Sequence, residues 1–323
     1  MIDTLADVDA AISVENITDA AGRIDPVFRE TPQFVCEPIS ERLDVETLLK
    51  VEFVNPIRSF KGRGADYLVQ RLGDDAAGGI VCASAGNFGQ GMAYACRKAG
   101  RRITVFASRS ANALKVERMR AFGAQVVLDG EDFDAAKDAA KRRASASGER
   151  YVEDGLLGPI SEGAGTIAVE LGRLANPLDA IFVPLGNGAL VNGIGAWLKH
   201  ASPRTRVISV CSSEAPAMER SWREGHPISA PAGTIADGIA VRVPVPEALE
   251  IMRHTVDEVM LVPDAEILEA MRMLFSLAGL AVEPAGAAGL AAIARRSPEW
   301  AGRRVATPLC GSNLTSEQLH VWL

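Results

Sequence analysis

One lysine of this sequence has neighbours that favour chemistry over simple solvation. Lys61 stands in "NPIRSFKGRGA", after the aromatic Phe60 and before a glycine, where the pattern predicts the start of a helix. A helix N-terminus disfavours a cation because its own partial charge is positive. An amine tied up in an imine with a carbonyl cofactor removes that conflict. The alternative is a solvated lysine on an exposed turn, and this segment alone does not decide between them.

A second candidate is the loop that follows an apolar strand in "DAIFVPLGNGALVNGIGAWLK". The predicted strand ends at Leu185, and the loop consists of Gly186, Asn187, Gly188, Ala189 and Leu190. Small residues before a helix let backbone N–H groups approach an anion, so this loop could hold a phosphate. A tight turn without a ligand is the alternative. Nucleotide fingerprints are missing, since no GxxxxGK[ST] occurs and GxGxxG would need glycine where Val191 stands.

Two more predicted strand ends carry polar side chains. In "CASAGNFGQG", Ser84 and Asn87 could bind a carboxylate or orient a ring oxygen, or they could simply cap the next helix. In "RVATPLCGSN", Cys310 could be a nucleophile, a buried apolar side chain or a hydrogen-bond partner of a ring nitrogen. A nucleophilic thiol needs a histidine base. The four histidines stand outside all of these loops: His200, His226, His254 and His320.

The elements that position these loops follow a strand, helix, strand pattern. The best predicted strands are "GGIVCASA", "RITVFAS", "AQVVLDG", "DAIFVPLG", "RVISVCS" and "RRVATPLC", and helical patterns such as "NALKVERMRAFG" lie between them. Continuous apolar strands of this kind are typical of parallel sheets that are covered on both faces. Residues 77–152 hold three βα units, and "SASGERYVEDGLLGPISEGAG" after them predicts a crossing between two sheets. We therefore expect an α/β protein with a cleft between two open sheets, and ligands at the carboxyl ends of the strands.

Composition narrows the classes of partner. The 323 residues are 48% hydrophobic and carry a formal net charge of -7, so a basic surface for nucleic acid is not expected. The five cysteines show no CxxC spacing, which argues against a disulfide framework or a zinc site. The acidic, helical N-terminal pattern "MIDTLADVDAAISVENITDAAGRI" lacks the features of a secretory signal, and no apolar run is long enough to span a membrane. We expect a cytoplasmic protein that binds small metabolites.

Seven segments together resemble the fold-type II pyridoxal-phosphate enzymes, and most of all their serine/threonine dehydratase branch. In chain order they are "SFKGRGA", "ASAGNFGQG", "EGAGTIAVE", "GNGAL", "TIADGIAVRVP", "VEPAGAAGLA" and "LCGSN". The resemblance implies two open, mostly parallel twisted sheets with helices on both faces, as in the tryptophan synthase beta fold, and a cofactor in the interdomain cleft. It implies a large cofactor-binding domain of residues 1–76 and 153–323 and a small mobile domain of residues 77–152.

The resemblance also assigns roles to residues. It makes Lys61 the lysine that forms a Schiff base with pyridoxal 5'-phosphate and the base that removes the substrate's α-proton, and we therefore expect Lys61 to be buried. Its other cofactor contacts are Phe60 beside the ring, Asn87 at the 3'-oxygen, Gly186, Asn187, Gly188, Ala189 and Leu190 around the phosphate, Cys310 at the ring nitrogen, and Gly238 and Glu283 in the pocket wall. Ser84, Ala85, Gly86, Asn87 and Phe88 would form the loop that binds the substrate carboxylate.

The implied activity is that of an ammonia-lyase, or dehydratase. It would convert a β-hydroxy amino acid such as threonine or serine to a 2-oxo acid and ammonia by α,β-elimination, and the protein would be a homodimer. Alternatives within the fold are β-replacement, a threonine-synthase-like reaction and racemase side activity. There are also two alternatives of a different class. One is a cofactor-binding or regulatory protein without turnover, and the other is a nucleotide-binding α/β protein. The retained lysine and thiol argue against the former, and the missing dinucleotide fingerprint argues against the latter.

Several positions depart from the family pattern. Asn187 and Ala189 replace two of four glycines in the phosphate loop, and Phe88 replaces the common histidine. Ala85 stands where similar racemases carry a serine, which favours elimination over racemisation. Cys211 and Ala217 occupy the places of two acidic metal ligands, so with only Glu214 nearby we expect no metal site. The chain ends about ten residues after the last motif, so we expect no C-terminal regulatory domain.

Overall fold

The alternation of strands and helices produces two separate sheets. The computed structural model describes residues 11–323 of the chain, and residues 1–10, which begin the predicted N-terminal helical pattern, lie outside the described residues. The described strands are β1 (Gln33–Val35), β2 (Glu46–Val51), β3 (Ile80–Ala83), β4 (Ile103–Ala107), β5 (Gln125–Leu128), β6 (Arg150–Val152), β7 (Ala180–Pro184), β8 (Arg206–Ser212), β9 (Glu258–Val262) and β10 (Arg304–Leu309). The predicted α/β class is confirmed.

The helices of the described region connect the strands in chain order. They are α1 (Val14–Arg23), α2 (Glu37–Leu43), α3 (Lys61–Leu72), α4 (Asn87–Lys98), α5 (Ala113–Ala121), α6 (Phe133–Ser147), α7 (Gly158–Leu171), α8 (Ala189–Ala201), α9 (Ala217–Glu224), α10 (Pro246–Thr255), α11 (Asp264–Ala278), α12 (Pro284–Arg295) and α13 (Ser316–Trp322). Within residues 11–323, no helix combines the length and the apolar character that crossing a membrane requires.

The larger sheet has six strands in the order β1-β2-β10-β7-β8-β9. Only the β1–β2 pair at its edge is antiparallel, and the other neighbours run parallel. Strand β7 shows how helices cover both faces. Ile181 and Val183 pack on the side of α7, α8 and α10, whereas Phe182 packs on the side of α11 and α12. Each large apolar side chain buried in this way contributes roughly 1.5–3 kcal/mol of transfer free energy.

The smaller sheet has four parallel strands in the order β5-β4-β3-β6. One face is covered by α3, α4 and α5, and the other by the alanine-rich α6. All four strands lie within residues 77–152, as the predicted small domain requires. Whether this segment moves as a unit stays a prediction.

The structure corrects two details of the sequence interpretation. The stretch "SASGERYVEDGLLGPISEGAG" is not simply a crossing between sheets, because it contains β6, which adds an edge strand to the small sheet, and the first half of α7. Because the stretch is rich in turn-forming residues, its sequence does not predict the three-residue strand. The six best predicted strands are all present, but the prediction did not include β1, β2, β6 or β9. Strands β1, β6 and β9 lie at sheet edges and depend on pairing with a neighbouring strand, which a local pattern does not contain, whereas β2 is an interior strand whose apolar pattern is interrupted by Lys50.

Candidate active site

Lys61 is the first residue of α3 and points into a cavity between the sheets. Its Nζ donates a hydrogen bond to Oδ2 of Asp154 at 2.7 Å and lies 4.8 Å from the centre of the Phe60 ring. The Lys61 side chain keeps 16% of its surface exposed, so the expectation of a buried lysine is wrong. A reactive amine must remain reachable from the cavity. The Asp154 carboxylate compensates the lysine charge that the helix N-terminus disfavours.

A buried network of ion pairs stabilises the first turn of α3, which carries Lys61. Arg63, two residues further along α3, is fully buried and donates to both carboxylate oxygens of Glu52 and of Glu170. Lys50 also donates to Glu170, at 2.5 Å. Burial opposes the charge on Glu170, but the hydrogen bonds and charges of Arg63 and Lys50 outweigh it and lower the pKa of that carboxyl to about 2. The two positive and two negative charges of this network balance. Its hydrogen bonds hold the α3 backbone next to Lys61 in place.

The loop after β3 opens α4 and faces Lys61. Gly86 is the residue before the helix and provides no side-chain cap. Instead Ser84 Oγ accepts the N–H groups of Gly86 at 3.2 Å and Gly89 at 2.9 Å, so part of the predicted capping role is real. Those two bonds use the acceptor capacity of the hydroxyl and leave its proton free to donate to a ligand. Phe88 brings its ring within 6.0 Å of Lys61 Nζ.

Asn87 connects the two halves of the site. Its Nδ2 donates to Glu283 Oε1 at 2.6 Å, and its Oδ1 accepts from Asn313 Nδ2 at 2.8 Å. Glu283 is 2% exposed and its other oxygen accepts the backbone N–H of Asn313. Burial raises the pKa of the Glu283 carboxyl, while the nearby charge of Lys115 opposes that shift. A Cβ at Gly311 would lie 2.2 Å from Glu283 Oε1, so only glycine leaves room for this contact.

The loop after β7 forms a cradle of backbone groups. Helix α8 begins at Ala189 without a side-chain cap, so its first N–H groups face the cavity. Gly188 adopts a φ of 93°, in the left-handed region that favours glycine. A Cβ on Gly186 would approach the carbonyl oxygen of Gly238 to 2.7 Å. These constraints explain why the two retained glycines stand at these positions, whereas Asn187 and Ala189 are accommodated between and after them.

Cys310 follows β10 and is 5% exposed. Its Sγ contacts the carbonyl oxygen of Pro308 at 3.5 Å. Burial and the nearby Glu283 charge raise the pKa of the thiol well above its ordinary value, so the thiol stays uncharged. None of the four histidines lines the cavity in the described part of the chain. The structure therefore favours an uncharged thiol over a nucleophile at this position.

The residues predicted for the site line a single cavity of about 450 Å³, a volume suited to a cofactor with a small substrate. The predicted site residues that it brings together are Phe60, Lys61, Ser84, Ala85, Gly86, Asn87, Phe88, Gly186, Asn187, Gly188, Ala189, Leu190, Gly238, Glu283 and Cys310. Their separate roles stay predictions. Among residues 11–323, no group of three or more His, Cys, Asp or Glu side chains is placed to bind a metal ion, and Glu214 instead accepts a hydrogen bond from Ser212 at 2.8 Å.

The sequence interpretation missed the charged residues of the cavity wall. They are Lys115, Asp132, Asp134, Lys137, Glu153, Asp154, Asp237 and Arg242. Asp154 could have been found, because it stands two residues after β6 and the carboxyl ends of parallel strands face the ligand. Asp154 was not predicted because β6 was not recognised as a strand. Lys115 lies inside α5 and pairs with Asp237 at 2.5 Å, a contact between distant segments that no local pattern announces.

Comparison with known proteins agrees with this geometry. A family model described as pyridoxal-phosphate dependent enzyme matches residues 24–311. The chain belongs to this family. It is 33% identical to an L-threonine ammonia-lyase of Thermotoga maritima over 305 residues, which cover 94% of this chain and 76% of that protein. It is 32% identical to the biosynthetic L-threonine dehydratase of Pasteurella multocida over 303 residues, 93% of this chain.

Two further facts qualify the likeness. The chain spans 59% of the length of the Pasteurella multocida relative. A solved structure of maize serine racemase superposes with a TM-score of 0.90 at 27% identity, and the match covers 96% of each chain. The predicted fold-type II architecture is thus confirmed, while family members with different names share it.

The cavity fits the cofactor of this pyridoxal-phosphate dependent family. The uncapped start of α8 and the glycine cradle provide N–H groups for a phosphate. The amine of Lys61 is the group that would bond to the cofactor aldehyde, and Asn87 and the uncharged Cys310 thiol are the polar groups available to the ring. Apolar contact would come from Phe60, whose ring lines the same wall.

Proposed function

We propose that the protein is a pyridoxal-phosphate-dependent ammonia-lyase of the serine/threonine dehydratase type. It would convert a β-hydroxy amino acid such as threonine or serine to a 2-oxo acid and ammonia. The observation that carries the proposal is the meeting of Lys61, the phosphate cradle, the Asn87–Glu283 pair and Cys310 in one cavity. The relatives named L-threonine ammonia-lyase and L-threonine dehydratase support the same reaction class.

Pyridoxal phosphate, when bound, supplies an electron-accepting ring that acidifies the α C–H bond of an amino acid. Lys61 provides the amine that takes the α-proton, and its position at the start of a fixed helix keeps that amine aimed into the cavity. Ser84 donates its free hydroxyl proton to the substrate carboxylate, together with the backbone N–H groups at the start of α4. Phe60 and Phe88 exclude water beside Lys61.

Ala85, the residue next to Ser84, favours elimination over racemisation. Racemisation needs an acid that returns a proton to the opposite face of the α-carbon, and Ala85 offers only a methyl group there. Cys310 also acts in this direction, because an uncharged thiol does not hold a proton on a ring nitrogen as a carboxylate would. By leaving the ring nitrogen unprotonated, Cys310 would make a bound cofactor a weaker electron sink, which would favour prompt departure of a β-substituent.

The first experiment measures cofactor loading. The purified protein should show a visible absorbance band, and borohydride reduction should attach the cofactor to the peptide that contains Lys61. Lys61→Ala should lack this band. A colourless wild-type protein that takes up no pyridoxal phosphate would contradict the proposal.

The second experiment measures turnover. Formation of 2-oxo acid should be followed with L-serine, L-threonine, 3-hydroxyaspartate and phenylserine, with serine or threonine expected as substrates. Absence of a keto acid from all four, together with consumption of a thiol acceptor in the presence of O-acetylserine, would support β-replacement instead. A chiral assay of recovered serine tests racemisation.

We also propose a cytoplasmic homodimer whose residues 77–152 move as a small domain. Ion pairs between this segment and the rest of the chain would hold the cleft closed and would break when it opens. Lys115 pairs with Asp237, and Arg242 Nε donates to Asp134 at 2.6 Å. Sedimentation velocity tests the dimer, and cell fractionation tests the location. Hydrogen exchange with and without cofactor tests the motion. Exchange rates in residues 77–152 that do not change when cofactor is added would contradict it.

A further inference from the structure

The turn between β6 and α7 positions the carboxylate of Asp154 beside Lys61. The Leu156 N–H donates to the carbonyl oxygen of Glu153 at 3.3 Å, and this hydrogen bond closes a β-turn. Gly155 occupies the third position of the turn with a φ of 88°, the left-handed value that a type II turn takes there. Asp154 occupies the second position, and its Oδ2 accepts a hydrogen bond from Lys61 Nζ at 2.7 Å.

Contacts on both sides hold this turn in place. Before Asp154, the Glu153 carboxylate accepts a hydrogen bond from Lys137 Nζ at 2.9 Å. After it, Gly155 lies against the phosphate cradle, where a Cβ would overlap the carbonyl oxygen of Asn187. The turn is thus fixed to α6 on one side and to the cradle on the other. The position of the Asp154 carboxylate is therefore set by the backbone around it.

Lys61 is the charged partner of Asp154. The second carboxylate oxygen of Asp154, Oδ1, is inaccessible to solvent and forms no hydrogen bond within residues 11–323. The side chains of Asp154 and Lys61 are 14% and 16% exposed. Charges that are largely removed from water attract each other more strongly, and a carboxylate without compensating donors is costly there. The Asp154 charge is therefore stabilised by an ammonium on Lys61 and stabilises that ammonium in return.

The proposed reaction requires Lys61 to change its charge. The lysine must be a neutral amine to bond to the cofactor aldehyde, and it must again be neutral to take the α-proton. Once it has taken the proton, it is an ammonium. A hydrogen bond from an ammonium to a carboxylate is roughly twice as strong as one between neutral groups. Asp154 therefore favours the state after proton transfer and disfavours the neutral amine that cofactor attachment needs.

We propose that Asp154 is a positioning residue that stabilises the Lys61 ammonium formed in α-proton transfer, and that the same contact slows attachment of the cofactor to Lys61. This inference rests on the proposed lyase function. The Cα–H bond breaks, its proton forms a third N–H bond on Nζ, and its electron pair becomes the second bond between Cα and Cβ. The β-hydroxyl leaves with the electrons of its bond to carbon, and together with the proton that Lys61 later releases it makes one water. Asp154 accepts a hydrogen bond throughout and receives no proton.

The first test measures how fast pyridoxal phosphate attaches to protein from which it has been removed. The visible absorbance band should develop about 3- to 10-fold faster in Asp154→Asn than in wild type, the range expected when an amine loses a partly exposed ion pair that holds its proton. The matched control is Asp25→Asn, because the Asp25 side chain is also 14% exposed and pairs with Lys98 at 2.7 Å outside the cavity. Its rate should stay within about twofold of wild type. Attachment to Asp154→Asn that is no faster than to wild type overturns the proposal.

The second test measures turnover by the cofactor-loaded proteins with L-serine that carries hydrogen or deuterium at Cα. Asp154→Asn should lower kcat by about 3- to 10-fold and leave KM within about twofold, because the lost contact acts on proton transfer and not on substrate binding. The deuterium isotope effect on kcat should be at least as large as in wild type, since slower proton transfer determines more of the rate. A smaller isotope effect, or a higher KM with unchanged kcat, overturns the proposal.

Changes in opposite directions separate this role from a structural one. A structural defect would slow attachment and turnover together, and that result overturns the proposal. Asp154→Glu keeps the charge and should return both values toward wild type. Asp154→Ser removes the carboxylate without adding an amide and should repeat the opposite changes, so the test does not depend on the folding of Asp154→Asn. Wild type that forms no 2-oxo acid from serine or threonine contradicts the proposed lyase function, whereas active wild type with unchanged attachment in Asp154→Asn overturns only the role of Asp154.

Discussion

Asn87 donates its side-chain N–H to Glu283 across the cavity at 2.6 Å, and this bond joins the first turn of α4 to the residue that precedes α12. The two residues are separated by 196 positions in the chain. The bond therefore couples the small sheet to the large one at the place where the cofactor ring is expected. Its acceptor is a buried carboxyl whose pKa is raised by burial.

We expect Glu283→Gln and Glu283→Ala to differ sharply. Gln keeps the shape and one acceptor oxygen, whereas Ala leaves the Asn87 amide and the Asn313 N–H without their acceptor. Each unsatisfied buried donor costs about 1–3 kcal/mol. Glu283→Ala should therefore weaken pyridoxal-phosphate binding and lower stability more than Glu283→Gln, as measured by equilibrium dialysis and urea unfolding. Equal behaviour of both variants would show that these donors do not need the acceptor.

Replacement of Arg63 should be among the most damaging single changes. Arg63 is fully buried between Glu52 and Glu170, and Arg63→Met would leave Lys50 as the remaining cation against two carboxylates. Breaking such a buried pair costs about 3–5 kcal/mol. Arg63→Lys should be nearly as harmful because an ammonium does not reproduce the paired guanidinium geometry. Urea unfolding measures the effect, and the exposed Arg23→Ala should change stability by less than about 0.5 kcal/mol.

The acid stability of the fold should depend on Glu170. Its pKa falls from an ordinary value of 4.5 to about 2 in the folded protein. The folded state therefore holds fewer protons than the unfolded state, so its contribution is present above pH 4.5 and is lost as pH falls toward 2.

The wild-type urea midpoint should drop as the pH falls from about 4.5 to about 2, whereas the less stable Glu170→Gln should show a shallower pH dependence because the titrating group is gone. A wild-type midpoint that stays constant over this range, or parallel curves for the two proteins, would contradict the assignment. A Glu299→Gln variant serves as a surface control, because Glu299 is an exposed partner of Arg296 and has no contact with the buried network of Arg63.

Gly186→Ala should impair cofactor binding. A Cβ at this position would lie 2.7 Å from the Gly238 carbonyl oxygen, closer than real contacts allow, so the cradle must shift. The matched control is Gly22→Ala in α1, where a Cβ meets nothing within 4 Å. Gly22 lies in the last turn of α1, so alanine there should leave stability unchanged or raise it by less than about 1 kcal/mol. Bound pyridoxal phosphate per chain should fall for Gly186→Ala and stay at the wild-type value for Gly22→Ala, and the opposite order would rule out the cradle.

Sequence reasoning found the parts of the site that have local signatures. The glycines before α8, the polar residues before α4 and the lysine at the start of α3 all follow strand ends or begin helices, where a short pattern predicts the backbone conformation. It did not find Asp154, because a strand of three residues in a turn-rich stretch depends on pairing with β3 rather than on its own pattern. Nor did it find the Lys115–Asp237 pair, which joins segments 122 residues apart. It also overestimated the burial of Lys61, since only the cavity shows how much of an amine stays accessible.

The position of β10 within the large sheet has a consequence for the order of folding. This strand comes last in the chain, yet it lies between β2 and β7 in the middle of the sheet and ends at Leu309, next to Cys310. The small sheet, by contrast, is built from one continuous stretch of chain, so its contacts close short loops that form quickly. During synthesis we therefore expect the small sheet to fold first, while β2 and β7 each lack a partner on the side where β10 will insert. The phosphate cradle at the end of β7 gains a rigid base only once the last strand has inserted.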